Sequence, residues 1–146
     1  MNREKAIRTA FYSVLNSIIY PAGSGIRIPI SDGKAISKDK IYTLIESQTA
    51  QDSSDMRNKR WNASITITVI HKQKDSYTRD IVDDIGEEIE STILPGNAAL
   101  NGLPEVPGWK ITNVYLGNID YADFQINENE TVCIKFLTFN FIINKI

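Results

Sequence analysis

The stretch RWNASITITVIHK, residues 60–72, decides the fold that this sequence specifies. Every second side chain from Trp61 to Val69 is apolar, and those between are small, polar and uncharged: Asn62, Ser64, Thr66 and Thr68. A period of two is typical of a β-strand that buries one face. The stretch therefore predicts a strand with one face in the core and an uncharged polar face on an open side of the sheet.

Amphipathic helices are predicted on either side of this strand. Residues 3–20 carry apolar side chains at three- and four-residue steps, which predicts a helix that ends at the following proline. Isoleucine recurs at every fourth position in residues 81–93, which predicts a second helix ending at Leu94. We expect Asp75 or Ser76 to cap this second helix.

Several other segments have the composition of strands. Residues 26–30 are expected to form an edge strand or extended segment, because Pro29 cannot donate a backbone hydrogen bond to a ladder. Residues 40–47 are expected to pair as a hairpin with the strand at residues 60–72, which we call the opening strand. Three later β segments are expected at residues 109–117, 119–126 and 131–143. In the last of them the apolar parity changes after Phe136, which predicts a β-bulge or a change in the face that is buried.

These elements predict an α+β fold: a mainly antiparallel sheet with two helices packed on one face, in the order α-β-β(-β)-α-β-β(-β). We expect one domain over residues 1–146, with long loops at about 47–60 and 95–108. A content of 42% hydrophobic and 23% charged residues is that of a soluble globular protein. No apolar run approaches the ~20 residues of a membrane span, and the N-terminal residues lack the pattern of a secretion signal, so a cytosolic protein is expected.

The charge and the cysteine count limit the possible functions. Sixteen basic and 18 acidic residues give a net charge of −2, which argues against a protein that coats nucleic acid. The single cysteine cannot form an internal disulfide or a zinc knuckle, and the single histidine argues against a His-rich metal site. No cofactor is predicted.

The sequence contains no convincing active site. His71 ends the opening strand on its apolar parity, which favours a structural role over that of a catalytic base. Cys133 lies inside a strand without a redox motif and is interpreted as a small buried residue. The weaker alternative is an enzyme with a carboxylate site at Asp83, Asp84 or Glu87. We predict that the chain is not an enzyme.

The sequence instead indicates exposed residues that could contact another protein. Arg57, Lys59 and Arg60 lie in the loop before the opening strand, where a solvated loop and a contact site are equally plausible. If they form a contact, the expected partners are acidic residues of the second helix in a neighbouring subunit: Asp84, Glu87 and Glu88.

Four stretches in order carry a family resemblance: the helix AIRTAFYSVL, the strand IYTLIESQTAQD, the strand NASITITVIHK leading into YTRDIVDDIGEEIESTIL, and the last segment CIKFLTFNFII. Together they resemble the phage tail terminator and tail completion family, small head-to-tail joining proteins of tailed bacteriophages. The resemblance implies a structural virion protein, assembled in the bacterial cytoplasm, that takes part in viral genome ejection without a cofactor or a membrane.

The resemblance also implies partners. Family members form rings in the neck, as part of the head-tail connector, or at the end of the tail tube. Their neighbours are portal, connector and tail proteins, and DNA passes through the lumen without sequence-specific binding. A longer region around residues 20–40 and the 95–108 loop depart from the family pattern and leave the position of the ring open. Sixfold and twelvefold rings are both possible, since sixfold matches a tail and twelvefold a portal. In such a ring Asn62, Ser64, Thr66 and Thr68 would line the lumen or a subunit seam. The alternative is a cytosolic, monomeric module that binds a small molecule or peptide on the open sheet face.

Overall fold

The computed structural model describes residues 1–21, 23–31, 40–75, 77–96 and 101–146. Its helices and strands, in chain order, are α1 Arg3–Leu15, β1 Ile41–Asp52, β2 Arg60–Lys74, α2 Asp80–Ile93, β3 Trp109–Gln125 and β4 Glu130–Lys145. The strands form one antiparallel sheet in the order β1-β2-β4-β3. The predicted α+β class and the order α-β-β-α-β-β are therefore confirmed.

Alternate side chains of β2 and β4 face the two helices and form the main core. Phe11 of α1 is fully buried there, with its ring centroid 6.2 Å from that of Phe139 and 5.3 Å from that of Phe141. The fully buried strand residues include Ile65, Ile67 and Leu137. Each large apolar side chain buried in this way contributes on the order of 1.5–3 kcal/mol, so this layer fixes both helices on one face of the sheet.

Helix α1 ends at Leu15, five residues before the predicted end. The hydroxyl of Ser17 donates to the carbonyl of Val14, and the amide of Ile28 donates to the carbonyl of Ile18. The backbone thus leaves the helix although Ile18 stays in the core. The helix was predicted too long because its apolar spacing continues to Ile18, whereas local hydrogen bonds end the helix at Leu15.

The segment at residues 26–30 is extended, as predicted; its first part pairs with residues 18–20, and residues 29–31 lie along the outer edge of β1. A parallel bridge joins Ile30 to Thr43. The amide of Ser31 donates to the carbonyl of Thr43, and the amide of Thr43 donates to that of Pro29. This pairing covers the first part of the β1 edge.

Strand β1 is longer than predicted and the loop after it is shorter. The strand continues to Asp52, and the turn before β2 spans only residues 53–59, so the prediction of a loop at about 47–60 was wrong. Polar residues of β1 pair with β2 through Asp52, and the hydroxyls of Thr49 and Ser64 lie 2.6 Å apart. Cross-strand pairing outweighs the low strand propensity of this stretch.

The last two strands also differ from the prediction. Strand β3 joins the two expected segments into one, with irregular register near Asn113, which has a φ of 54°, and again before Asn118. Strand β4 pairs with β2 without interruption, so the predicted bulge is absent from it. The alternative prediction, a change in the face that is buried, is confirmed: Val132 and Ile134 are buried on the open face, and Leu137 and Phe139 on the helix side.

The connection into α2 is held by Gln73. Its side-chain amide donates to the carbonyl of Thr78 and accepts from the amide of the same residue, at 2.8 and 2.7 Å. The N-cap is Arg79, and the hydroxyl of Thr78 accepts from the amide of Asp80, so a cap by Asp75 was a wrong prediction. Ser76, the other expected cap, lies outside the described residues.

Candidate interaction surfaces

The turn between β1 and β2 presents cations to solvent. We call residues 53–60 the basic tip; it carries Arg57, Lys59 and Arg60, which are all exposed. Met56 is fully exposed beside them. Among the described residues no acidic side chain forms an ion pair with any of these three cations. The tip therefore offers positive charge that the described part of its own chain leaves unpaired.

Hydrogen bonds within the basic tip fix its shape. A carboxylate oxygen of Asp55 accepts from the amides of Arg57 and Asn58, at 2.9 and 2.8 Å, and these bonds hold the pKa of Asp55 below its usual value. The guanidinium of Arg60 donates to the carbonyl of Ser53. A contact made by this tip would need little ordering of its backbone.

The outer face of α2 is acidic. Its exposed acidic side chains are Asp80, Asp84, Glu87 and Glu88, and we call this row the acidic stripe. The helix contains no lysine or arginine. Within the described residues no ion pair joins the stripe to the basic tip. The structure thus keeps the two predicted contact sets apart within one chain, as a contact between chains requires.

The predicted polar face of β2 is only partly polar surface. Asn62, Ser64 and Thr66 lie on the side of the sheet opposite the helices, and the hydroxyl of Thr66 lies 3.0 Å from that of Thr138. Thr68 is only 1% exposed, and its hydroxyl donates to Glu46 at 3.4 Å. Thr68 therefore does not contribute to a wet surface, and that part of the prediction was wrong.

A second apolar cluster explains the burial of Thr68. It lies on the open face at the end of the sheet where β2 ends, and its buried members are Tyr42, Ile70, Val132 and Ile134. Burial raises the pKa of the Tyr42 hydroxyl. The sequence signal for this cluster was present in the alternation of Val132, Ile134 and Phe136, for which a bulge or a change in the buried face was predicted.

An edge strand with exposed apolar side chains was not predicted. Residues 118–125, which we call the free edge, form the second half of β3, which is an edge strand of the sheet. Phe124 is 54% exposed, Ile119 40% and Tyr121 37%. Splitting β3 into two segments in the prediction hid the continuity of this edge.

A group of polar side chains fastens the free edge to α2, and we call it the clamp. The ammonium of Lys135, on a side chain that is 9% exposed, lies 3.0 Å from a carboxylate oxygen of Asp83, and the hydroxyl of Tyr121 donates to the same oxygen. The guanidinium of Arg79 lies 4.5 Å from the Tyr121 ring centre and 3.1 Å from a carboxylate oxygen of Asp123. The clamp thus joins the start of α2 to β3 and β4.

The pKa values of the clamp favour its charged form. Burial alone would lower the pKa of Lys135, but hydrogen bonds to Asp83 and Tyr121 outweigh burial and raise it. Burial alone would raise the pKa of Asp83, but hydrogen bonds from Tyr121 and Lys135 lower it below its usual value. The raised pKa of Lys135 and the lowered pKa of Asp83 both result from the ion pair that these two residues form between the helix and the strand.

The candidate nucleophile and base are buried on the helix side of the sheet. His71 pairs across the ladder with Cys133, and among the described residues nothing bonds its Nδ1 atom. Burial, and then the charge of Lys40, lower the pKa of His71, while burial raises the pKa of the Cys133 thiol. Within the described ranges no three or more His, Cys, Asp or Glu side chains are grouped to hold a metal ion, and no helix is long and apolar enough to cross a membrane.

Comparisons with known proteins bear on the fold. No protein-family model matches the sequence, and no curated protein matches it. Among solved structures, a chain from the virion of a native gene transfer agent particle superposes with a TM-score of 0.69. The two chains are 13% identical, and the match covers 97% of this chain and 96% of that one. The two proteins therefore share a fold over nearly their whole lengths.

Proposed function

We propose that this chain is a structural protein of a phage-like virion and forms part of a ring at the head-to-tail joint or at the end of the tail tube. The observation that carries the proposal is the whole-length fold match to a chain of a gene transfer agent virion. The order of helices and strands and the family resemblance of the sequence support the same role. The neighbours in the particle would be portal, connector and tail proteins.

A structural role agrees with the state of the reactive groups. His71 and Cys133 are buried between the sheet and the helices, and Lys135 and Asp83 are engaged with each other. The remaining exposed carboxylates on α2 form a row on a helix surface with no base or metal ligand set beside them among the described residues. Surfaces, and not reactive side chains, are what this chain presents.

The basic tip and the acidic stripe supply the proposed contact between copies. Arg57, Lys59 and Arg60 of one copy would meet Asp84, Glu87 and Glu88 of the next. Two different patches that meet head to tail generate a ring if the rotation closes, and several weak charge contacts add up around such a ring. The fixed shape of the tip suits this use because little conformational entropy is lost on contact.

The uncharged polar part of the open sheet face would line the lumen or a seam. Asn62, Ser64 and Thr66 offer hydrogen bonds without the positive charge that would hold DNA. A wall of this kind lets DNA pass without sequence-specific binding. Sixfold and twelvefold rings both fit this account.

Purified particles test the proposal. Particles released from the source cells would be separated on a density gradient after nuclease treatment, and the chain would be quantified by mass spectrometry and located by immunogold electron microscopy. We expect a fixed ratio to the portal protein and label at the neck or tail end. Absence from particles would refute the proposal. A stable monomer that retains a small molecule or peptide on the open face would favour the alternative binding module.

A further inference from the structure

We infer that the free edge of β3 is a strand-addition site for an extended segment, bearing lysine or arginine, of a different protein. The inference concerns a surface distinct from the basic tip and the acidic stripe. It holds whether or not the chain forms a ring. Its basis is the backbone, the apolar side chains and the charge of residues 118–125.

The free edge lacks most of the usual protections against strand addition. Edge strands are normally shielded by proline, charged side chains, a bulge or a covering segment. Residues 118–125 contain no proline, lysine or arginine, and they pair with β4 in unbroken register. Among the described residues no further strand pairs with their outer side.

Parts of the other sheet edges are covered by pairing or side-chain contacts. The extended segment at residues 29–31 pairs with β1 on one side. At the start of β3, the side-chain amide of Asn101 donates to the carbonyl of Ile111 at 3.2 Å, and irregular register follows near Asn113. Within the described residues, the second half of β3 has no such covering segment.

Apolar side chains lie on both faces of the free edge. Ile119 and Tyr121 are on the helix side, because they pair with Leu137 and Lys135. Phe124 is on the open side. An added strand would therefore bury apolar area on either face as well as form a backbone ladder, which is how peptide strands are recognised by sheet edges.

The charge around the free edge selects a basic partner. Asp120 and Asp123 lie in the edge, and Glu128 and Glu130 lie in the turn and strand that follow. The cations near this region are Arg79 and Lys135, which each pair with a carboxylate of the clamp, and Lys74, which lies opposite Glu130 in the ladder. The net field at the edge is therefore negative, which favours a strand with lysine or arginine.

The same charges argue against a second copy as the occupant. Pairing of two free edges would bring Asp120 of both copies to the open face of one seam and Asp123 of both copies to its helix side. Like charges gathered at one seam oppose association. A strand from a different, basic protein avoids this repulsion.

The clamp prepares the edge for binding. The ion pair of Lys135 with Asp83 and the ion pair of Arg79 with Asp123 hold β3 and β4 against α2. An edge that is already ordered loses little entropy when a strand is added.

A capped, fluorescein-labelled octapeptide of alternating lysine and valine provides the test. Binding to the whole chain would be measured by fluorescence anisotropy, and amide shifts would locate the site by NMR. We expect shifts concentrated in residues 118–125. Asp120→Lys is expected to weaken binding by about tenfold, because an attraction becomes a repulsion. The matched control Glu105→Lys makes the same charge change at an exposed residue outside the free edge, the clamp and the acidic stripe, and should alter affinity by less than about twofold.

A second peptide separates strand addition from charge alone. The same lysine-valine peptide with every backbone amide N-methylated keeps its charge but has no N–H donors for a ladder, so we expect no binding. Equal binding of the two peptides, shifts outside the free edge, or no binding of the lysine-valine peptide at about 1 mM would each overturn the inference. A wild-type dimer with exchange-protected amides at residues 118–125 would also overturn it, because the occupant would then be a second copy. Detection of the chain in particles is a separate result, so the two proposals fail independently.

Discussion

Removing Asp83 should destabilise this protein more than removing its partner Lys135. Breaking a buried ion pair by deleting one partner costs about 3–5 kcal/mol, because the other charge stays buried. Here the Lys135 side chain is 9% exposed and that of Asp83 is 44% exposed. Exposure of Asp83 screens the pair, and the Tyr121 hydroxyl remains beside the ammonium, so we expect Asp83→Ala to cost about 2 kcal/mol.

Removing Lys135 instead of Asp83 leaves no buried charge. Lys135→Met keeps an unbranched apolar chain against Gly86, and the half-exposed Asp83 can be hydrated, so we expect a loss below about 1 kcal/mol. The double variant should be more stable than Asp83→Ala alone. Urea unfolding at pH 7, followed by tryptophan fluorescence, measures all three free energies. A loss for Lys135→Met equal to or larger than that for Asp83→Ala would refute the reasoning.

The Asp83 effect also carries a pH signature. The pKa of Asp83 is lower in the folded state than its usual 3.8, so its contribution is present above that pH and is lost as the pH falls through the folded value. The stability difference between the wild type and Asp83→Ala should therefore shrink in acid. A difference that stays constant down to about pH 2 would contradict this linkage.

Three further predictions address other parts of the chain. Burial lowers the pKa of His71 below 6.5 in the folded state, so the unfolded state takes up this proton at a higher pH. The free energy of unfolding should therefore fall as the pH drops below about 6.5. In urea unfolding, His71→Leu should flatten this fall between about pH 5 and 6.5. A Cβ on Gly102 would lie 1.7 Å from the backbone oxygen of Thr92, so Gly102→Ala should lower the free energy of unfolding by about 2 kcal/mol. A Cβ on Gly86 would instead meet the flexible side chain of Lys135, so Gly86→Ala should lower it by less in the same assay. Glu in place of Arg57, Lys59 and Arg60 should block assembly while circular dichroism shows a folded monomer, and Lys in place of Asp84, Glu87 and Glu88 in the same chain should restore assembly; normal assembly of the first variant would exclude this contact.

Periodicity predicted the helices and strands because each spans many residues with one buried face. The alternation in residues 60–72 and the fourfold spacing of isoleucine in α2 both correspond to observed burial. The errors occur where pairing or local hydrogen bonds outweigh composition. Polar residues 48–52 join β1 because β2 offers them a partner, and α1 ends early at the Ser17 hydrogen bond.

The candidate surfaces were predicted less completely than the fold. Asn62, Ser64 and Thr66 lie on the expected face, but Thr68 is buried by apolar neighbours from other strands that its own strand pattern does not reveal. The basic tip and the acidic stripe are exposed as expected. The clamp was missed because its ion pair joins residues 83 and 135, which are far apart in sequence.

Deletion of the gene for this chain in the source cells tests the central claim most directly. Electron microscopy of the released particles, with the wild-type gene supplied in trans as the control, would show whether heads and tails are joined. We predict separate heads and tails, or tails of abnormal length, and recovery of joined particles with the wild-type gene. Normal, infectious or DNA-transferring particles in the absence of this chain would contradict its assignment as a structural subunit of the head-to-tail region.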